Sequence, residues 1–332
     1  MNPSAPFTAS QISESSRTLL TSLFSHLRAT QNSDGGWPFH AGGQSRAEPT
    51  CWALLALANS AESAQPIARG LEFLKAQQLP DGSWPAMNGM SSGGSVTSLA
   101  ALTLAQFPAG AKNVLAALQW LSDDYPRDSS RWQRFLKSFK SAKHESHNDE
   151  FRGWGWTPRT SSWVEPTSFA LLAFASAALS ALPPQLAQQI SQRRALAIGL
   201  LYDRMCPGGG WNCGNPRVYG VDGESLILPT CWALLALRNE PDHPHRALSL
   251  AWLQKSLANI ASSGSFAVAQ ITIENYNLPI PPAPRQLTDF AAPSLAEQGT
   301  HVAAWAALAL NPSRLWPPSF DESSRASRLS PA

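Results

Sequence analysis

Charge, cysteine and membrane-length apolar runs are all scarce in this 332-residue chain, and each scarcity removes a class of function. Charged residues make up 14% of the chain against 43% apolar ones, and the net charge at pH 7 is +2. Lys and Arg are scattered without a basic block, so the chain carries no footprint for nucleic acid or for an anionic membrane surface. The four cysteines, Cys51, Cys206, Cys213 and Cys231, form no close CxxC pair. Reduced, mostly buried thiols are expected, not a disulfide framework. No run reaches the roughly 18 apolar residues of a spanning helix. Met1–Gln11 has neither a basic start nor an apolar core, so a cytoplasmic protein with no membrane span is expected.

Tryptophan is the exception, with 13 copies, and most of them sit in a recurring phrase. Asp34-Gly35-Gly36-Trp37 precedes Thr50-Cys51-Trp52-Ala53-Leu54-Leu55-Ala56-Leu57. The phrase returns as Asp81-Gly82-Ser83-Trp84 before Thr97, and as Gly153-Trp154-Gly155-Trp156 before Thr167. A fourth copy, Gly208-Gly209-Gly210-Trp211, leads into Thr230-Cys231-Trp232-Ala233-Leu234-Leu235-Ala236-Leu237. Such a period marks a repeat architecture. The octads are apolar all round, as enclosed inner helices are, whereas the segments before each loop are amphipathic, as outer helices are. Outer helices are predicted near residues 11–29, 66–78, 111–121, 186–204, 244–261 and 288–297. Inner helices are predicted from Thr50, Thr97, Thr167, Thr230, about Ala267 and Thr300. Six hairpins close an all-α ring, an α/α toroid or α-α barrel, over residues 11–316, with polar, disordered ends at 1–10 and 317–332. Thr50, Thr167 and Thr230 are expected as N-caps, with Pro49, Pro166 and Pro229 holding the entering chain extended. The loop tryptophans are expected to fill gaps between outer helices and donate an indole N–H to a backbone carbonyl.

Gln31-x-x-Asp34-Gly35-Gly36-Trp37 and Gln77-x-x-x-Asp81-Gly82-Ser83-Trp84 resemble the Gln-Trp repeats of the prenyltransferase and squalene oxidase repeat superfamily. That superfamily includes squalene-hopene cyclases and protein prenyltransferase β subunits, and the likeness runs from about Leu23 to Leu310. It implies the toroid, a central apolar cavity on the order of several hundred Å³, and an isoprenoid or other lipid as ligand. It does not by itself imply an activity, because one fold hosts several chemistries. The Asp-x-Asp-Asp acid motif of class II cyclases does not occur; the nearest run is Leu121-Ser122-Asp123-Asp124, at the end of an outer helix. The zinc set of the prenyltransferases is matched only by Cys231 and His301, with Asp222 as a substitute for the missing Asp, so no cofactor is expected and zinc is the weaker option.

The remaining candidates lie near the starts of the inner helices. Glu48 and Glu165 occupy identical Glu-Pro-Thr positions, where the helix dipole favours the ionised form, while like charges at an apolar mouth oppose it. Glu224, Arg159 and Trp163 are expected on the same rim, and Trp52, Trp232 and His301 line the mouth or cavity. His144-x-x-His147-x-Asp149-Glu150 has ligand types at plausible spacing in a polar insertion. Residues 278–285, rich in proline, read as extended polyproline across one end of the ring, as lid or tether. Two classes of function compete: a divergent isoprenoid-handling enzyme, and a non-catalytic repeat protein that binds a protein partner or lipid.

Overall fold

The computed structural model describes residues 13–126, 148, 150–177, 182–280, 287–289, 292–314 and 316–317. The described residues hold twelve α-helices in alternating layers. The inner ones are α2 (Ala47–Leu57), α4 (Val96–Leu104), α6 (Val164–Ser176), α8 (Ile227–Leu237), α10 (Ser263–Asn275) and α12 (Thr300–Leu310). The outer ones are α1 (Glu14–Ala29), α3 (Ala64–Ala76), α5 (Ala111–Asp123), α7 (Pro184–Asp203), α9 (Pro244–Ser256) and α11 (Ala292–Glu297). Each inner helix packs on the next, and α12 packs back on α2, so the ring is closed as the repeat predicted. The only strands among the described residues are two short hairpins, β1 (Trp37–Pro38) with β2 (Ser45–Arg46), and β3 (Arg217–Val218) with β4 (Val221–Asp222).

Composition explains the layering. Every residue of α2 except Glu48 is buried, which an octad without a polar face requires. In α1 only the stripe Leu19, Leu23 and Leu27 is buried, one residue per turn, and that stripe packs chiefly on α12. α1 and α12 therefore seal the ring, aided by Thr300, whose amide donates to Phe39 O (2.8 Å) and whose hydroxyl donates to Pro38 O (2.6 Å).

The loop tryptophans are the joints. The backbone N–H groups of Trp37, Trp84, Trp154 and Trp211 donate to Oγ1 of Thr50, Thr97, Thr167 and Thr230 at 2.9–3.0 Å. Their indole N–H groups donate back to the ends of outer helices, to the carbonyls of Leu27, Leu74, Leu121 and Leu201. Each tryptophan thus ties an outer helix to the following inner helix. At Gly82 (φ +92°) an added Cβ would lie 2.5 Å from Ala116 O, so the turn that delivers Trp84 requires glycine.

Three expectations fail, each for a physical reason. Thr50, Thr167 and Thr230 are not N-caps: α2, α6 and α8 start three residues earlier, and the cap positions Arg46, Trp163 and Leu226 make no side-chain cap bond. Thr50 instead donates to Arg46 O (2.7 Å) while accepting from Trp37. Pro49, Pro166 and Pro229 consequently sit inside the first helical turn, where an amide would have no intrahelical acceptor and proline costs nothing. Second, the repeat glutamine is Gln78, not Gln77. Gln78 Nε2 donates to Gly82 O and Asn113 O as Gln31 Nε2 donates to Gly35 O and Pro66 O, and both loops then share the register Gln-x-x-Asp. Third, the fifth inner helix starts at Ser263 and not near Ala267, because Ser262 caps it through the amide of Ser265.

His144, His147 and Asp149 lie outside the described residues, as do residues 281–285 of the proline-rich segment, residues 1–12 and residues 318–332. Among the described residues no helix is long and apolar enough to cross a membrane.

Candidate functional site

The inner helices begin at a common rim, and the loops that feed them touch in sequence around it. Asn88 Nδ2 donates to Ser45 O, the amide of Ser95 to Trp156 O, the amide of Val164 to Cys213 O, and the amide of Thr300 to Phe39 O. Glu48, Glu165 and His301 occupy the second position of α2, α6 and α12 on this rim. Water reaches the Glu48 side chain, yet protein crowds it enough to raise its pKa, first by desolvation and then through the charge of Glu165. Glu165 is also raised by burial, opposed by a hydrogen bond from Trp232, whose indole N–H is its donor group. Burial and the Glu165 charge likewise push up the Cys213 thiol. His301 is lowered by burial and by the neighbouring charge of His40, and its Nδ1 is buried without a hydrogen-bond partner.

Under the two carboxyls lies an aromatic floor. Trp52 and Trp232, both in the second turn of their helices, stack with centroids 5.8 Å apart at 25°. Phe169 touches both edges at 6.0 and 5.1 Å, and Trp305 meets them at 5.5 and 5.8 Å. Trp316, from the segment after α12, closes the group at 5.5 Å from each of the two stacked rings. At this level the axis is filled by side chains, not open. The carboxyls are held less acidic than free ones because burial outweighs the favourable helix N-termini, which reverses the expectation drawn from the dipole alone. A site of this kind supplies a proton donor or hydrogen-bonding carboxyl beside an apolar, polarisable surface.

The raised pKa values have a sign that stability reports. An unfolded Glu loses its proton before the folded one, so this pair's contribution falls as pH rises from the ordinary carboxylate range through the folded pKa. Glu48→Gln is therefore expected to raise the melting temperature at pH 7–8, by an amount that shrinks to nothing as both forms become protonated near pH 4. Thermal melts across this range check it, and an equal change at both ends would remove the electrostatic origin.

Other sequence candidates make contacts of their own. Arg159, exposed and at φ 60°, donates its amide to Asp124 Oδ1 (3.2 Å), which places it by the end of α5 and not by Glu165. Trp163 is half exposed at the start of α6, packed over Gly214 at 3.5 Å. Glu224 is exposed between β4 and α8. Asp222 pairs with Arg217 across the β3–β4 hairpin at 2.9 Å. Cys231 is fully buried against Thr272, its thiol pushed up to about 12 by burial. Asp222, Cys231 and His301 thus do not converge, and among the described residues no three His, Cys, Asp or Glu side chains gather as a metal site. Cys213, Trp305 and Trp316 were not marked by sequence reasoning. Trp305 was findable, since it falls five residues into its helix as Trp52 does.

Residues 7–95, about a quarter of the chain, match the squalene-hopene cyclase C-terminal domain. A variant of the type II terpene cyclase MstE from Scytonema, with the product merosterolic acid A, superposes with a TM-score of 0.52 at 14% identity, over 89% of this chain and 97% of that one. The chain is an α/α toroid, similar over residues 7–95 to the squalene-hopene cyclase domain. A protein from Actinoplanes is similar to the toroid at a TM-score of 0.52 and 16% identity, covering 85% and 79% of the two chains. A family 8 glycosyl hydrolase endoglucanase from Klebsiella pneumoniae is similar at 0.51 and 14%, covering 89% and 100%. No curated protein matches the toroid in sequence. Neighbours that act on a terpenoid and on a polysaccharide share one ring, so the ring alone specifies no chemistry.

Proposed function

We propose that the toroid binds a hydrophobic small molecule, an isoprenoid or other lipid, at the rim where its inner helices begin. The observation that carries this reading is that Glu48 and Glu165, which act on each other electrostatically, stand one helical turn before Trp52 and Phe169 of the aromatic cluster, with Glu165 hydrogen-bonded by Trp232 of the same cluster. The rings would take the apolar body by dispersion, and the carboxyls would hydrogen-bond the polar end. The terpene cyclase MstE, of the same fold, is described with geranylgeranyl dihydroxybenzoate as substrate, which supports a ligand of isoprenoid type. The chain has no Asp-x-Asp-Asp run, so any acid chemistry here would rest on Glu48 and Glu165.

A second reading, a non-catalytic ring that binds a protein partner, is favoured by the exposed Phe39, Met87, Trp156, Tyr219 and Val221 on the rim loops. Calorimetric titration with farnesol separates the two. Wild-type protein is expected to bind, and Glu48→Ala and Glu165→Ala are expected to weaken binding by at least about ten-fold, the effect of one lost buried hydrogen bond to a charged or acidic group. Arg159→Ala, on the Asp124 side, is expected to leave affinity unchanged. Equal affinity in all four proteins would move the site off this rim.

A further inference from the structure

The axial space of the ring is filled in part by Trp316, from the segment that follows α12. We infer that Asn311–Arg314 together with Trp316 form a displaceable plug, with Trp316 standing in the aromatic box for the flat or branched apolar group of a ligand. The segment leaves α12 at the rim opposite Glu48 and turns inward. Its hold on that rim is polar: Asn59 Nδ2 donates to Ser313 O, the amide of Ser313 donates to Asn311 Oδ1 at 3.0 Å, and Arg314 pairs with Glu274 of α10 at 2.7 Å. Trp316 itself is 1% exposed between Trp52 and Trp232.

The packing of Trp316 differs from that of the repeat tryptophans. Trp37, Trp84, Trp154 and Trp211 each give their indole N–H to a backbone carbonyl. Trp316 Nε1 is buried with no partner, and so is Trp305 Nε1 in the same box. A buried N–H that has lost water without gaining an acceptor offsets part of the gain from apolar burial. The box therefore fits the shape of an indole but leaves its polar atom unserved, and Trp316, unlike Trp305 and the repeat tryptophans, is held there by neither a helix nor a hydrogen bond from its indole. The segment follows the last inner helix, so it can leave without breaking the joints between helices. A ligand that brings an apolar group into the box, and for Trp305 an acceptor, competes with it directly. In the closed form the affinity is reduced by the fraction of molecules whose box is empty.

This inference rests on the reading that the ring takes an isoprenoid or lipid, and the test separates the two. Farnesol is titrated into the full chain, into a chain ending at Asn311, and into the full-length Arg314→Ala variant, which keeps Trp316 but loses the ion pair. Trypsin cleavage after Arg314 in the full chain is followed with and without farnesol. Farnesol is expected to accelerate that cleavage, the chain ending at Asn311 is expected to bind about ten-fold more tightly, the factor for a box empty in roughly a tenth of molecules, and Arg314→Ala is expected to bind more tightly by a smaller factor. Equal affinities with unchanged cleavage would overturn the plug and leave the lipid reading standing. Weaker binding by the shortened chain would make Trp316 a wall of the site and overturn the plug as well. No binding by any of the three would overturn the lipid reading and the plug together.

Discussion

Trp37→Ala is expected to destabilise the fold by about 3–5 kcal/mol, the usual cost of deleting a buried large aromatic side chain. The side chain is 0% exposed, and its six-membered ring lies so close to Gly70 that a Cβ there would come within 2.6 Å of Cζ3. Truncation empties that space and strips Leu27 O of the indole donor 2.6 Å away. The backbone bond from residue 37 to Thr50 survives, so the loss reports the side chain alone. Urea unfolding measures it. A variant that unfolds with the parent but no longer binds farnesol would make this tryptophan a ligand contact and sink the structural assignment.

Arg193→Met is expected to cost about 3 kcal/mol, although the two side chains are similar in volume and Met suits an apolar site. Arg193 is 0% exposed on α7, with its guanidinium 4.4 Å from the Tyr125 ring and 4.1 Å from the Trp154 ring. One nitrogen donates to both Asp124 O (2.9 Å) and Gly153 O (3.0 Å). The arginine thereby fastens the end of α5 to the start of the Trp154 loop, much as Arg69 of α3 holds Asn32 O and Ser33 O in the loop after α1. Methionine leaves two carbonyls without this donor and the rings without a cation. Arg193→Lys is not expected to rescue it, because an ammonium cannot lie flat between two rings while serving both carbonyls. A loss under about 1 kcal/mol in urea titration, the size of a single exposed interaction, would show that the fastening is redundant.

The ring was legible because its information is spread over many equivalent residues. A phrase that repeats Gly, Trp, Thr and an apolar octad leaves few ways to pack, and the paired bonds at Trp37 and Trp84 follow from the same letters. Helix starts were misread where one local rule stood against another. Pro49 reads as a boundary, but its missing amide is harmless in a first turn, and Thr50 is more useful as the acceptor for Trp37 than as a cap. The site was legible in part: Glu48 and Glu165 stand out as a matched pair of acids in helices that otherwise bury everything. Arg159 was placed with them by sequence proximity, yet a residue at φ 60° redirects the chain toward Asp124. Trp316 was invisible for the opposite reason. It follows no period, and only the folded ring shows that a lone aromatic beyond the last helix has an apolar box within reach.

The seam between the first and last helices has a consequence for how this chain must fold and how it could be cut. In an open helical array each unit leans on its neighbours, terminal units fray, and a unit can be deleted with a proportional loss. Here Pro38 and Thr300, 262 residues apart, share a hydrogen bond, and α1 leans on α12. No pair is terminal, so deleting one hairpin does not shorten the ring but breaks its circumference. Closure must wait for both ends of the chain, and contacts of such sequence separation make for slow, cooperative assembly. The same seam makes the order of the helices along the gene arbitrary to the finished structure. Joining the ends near the seam and opening the chain at an exposed loop, such as that around Gly89, would give a permuted protein with the same ring and a different helix to finish last.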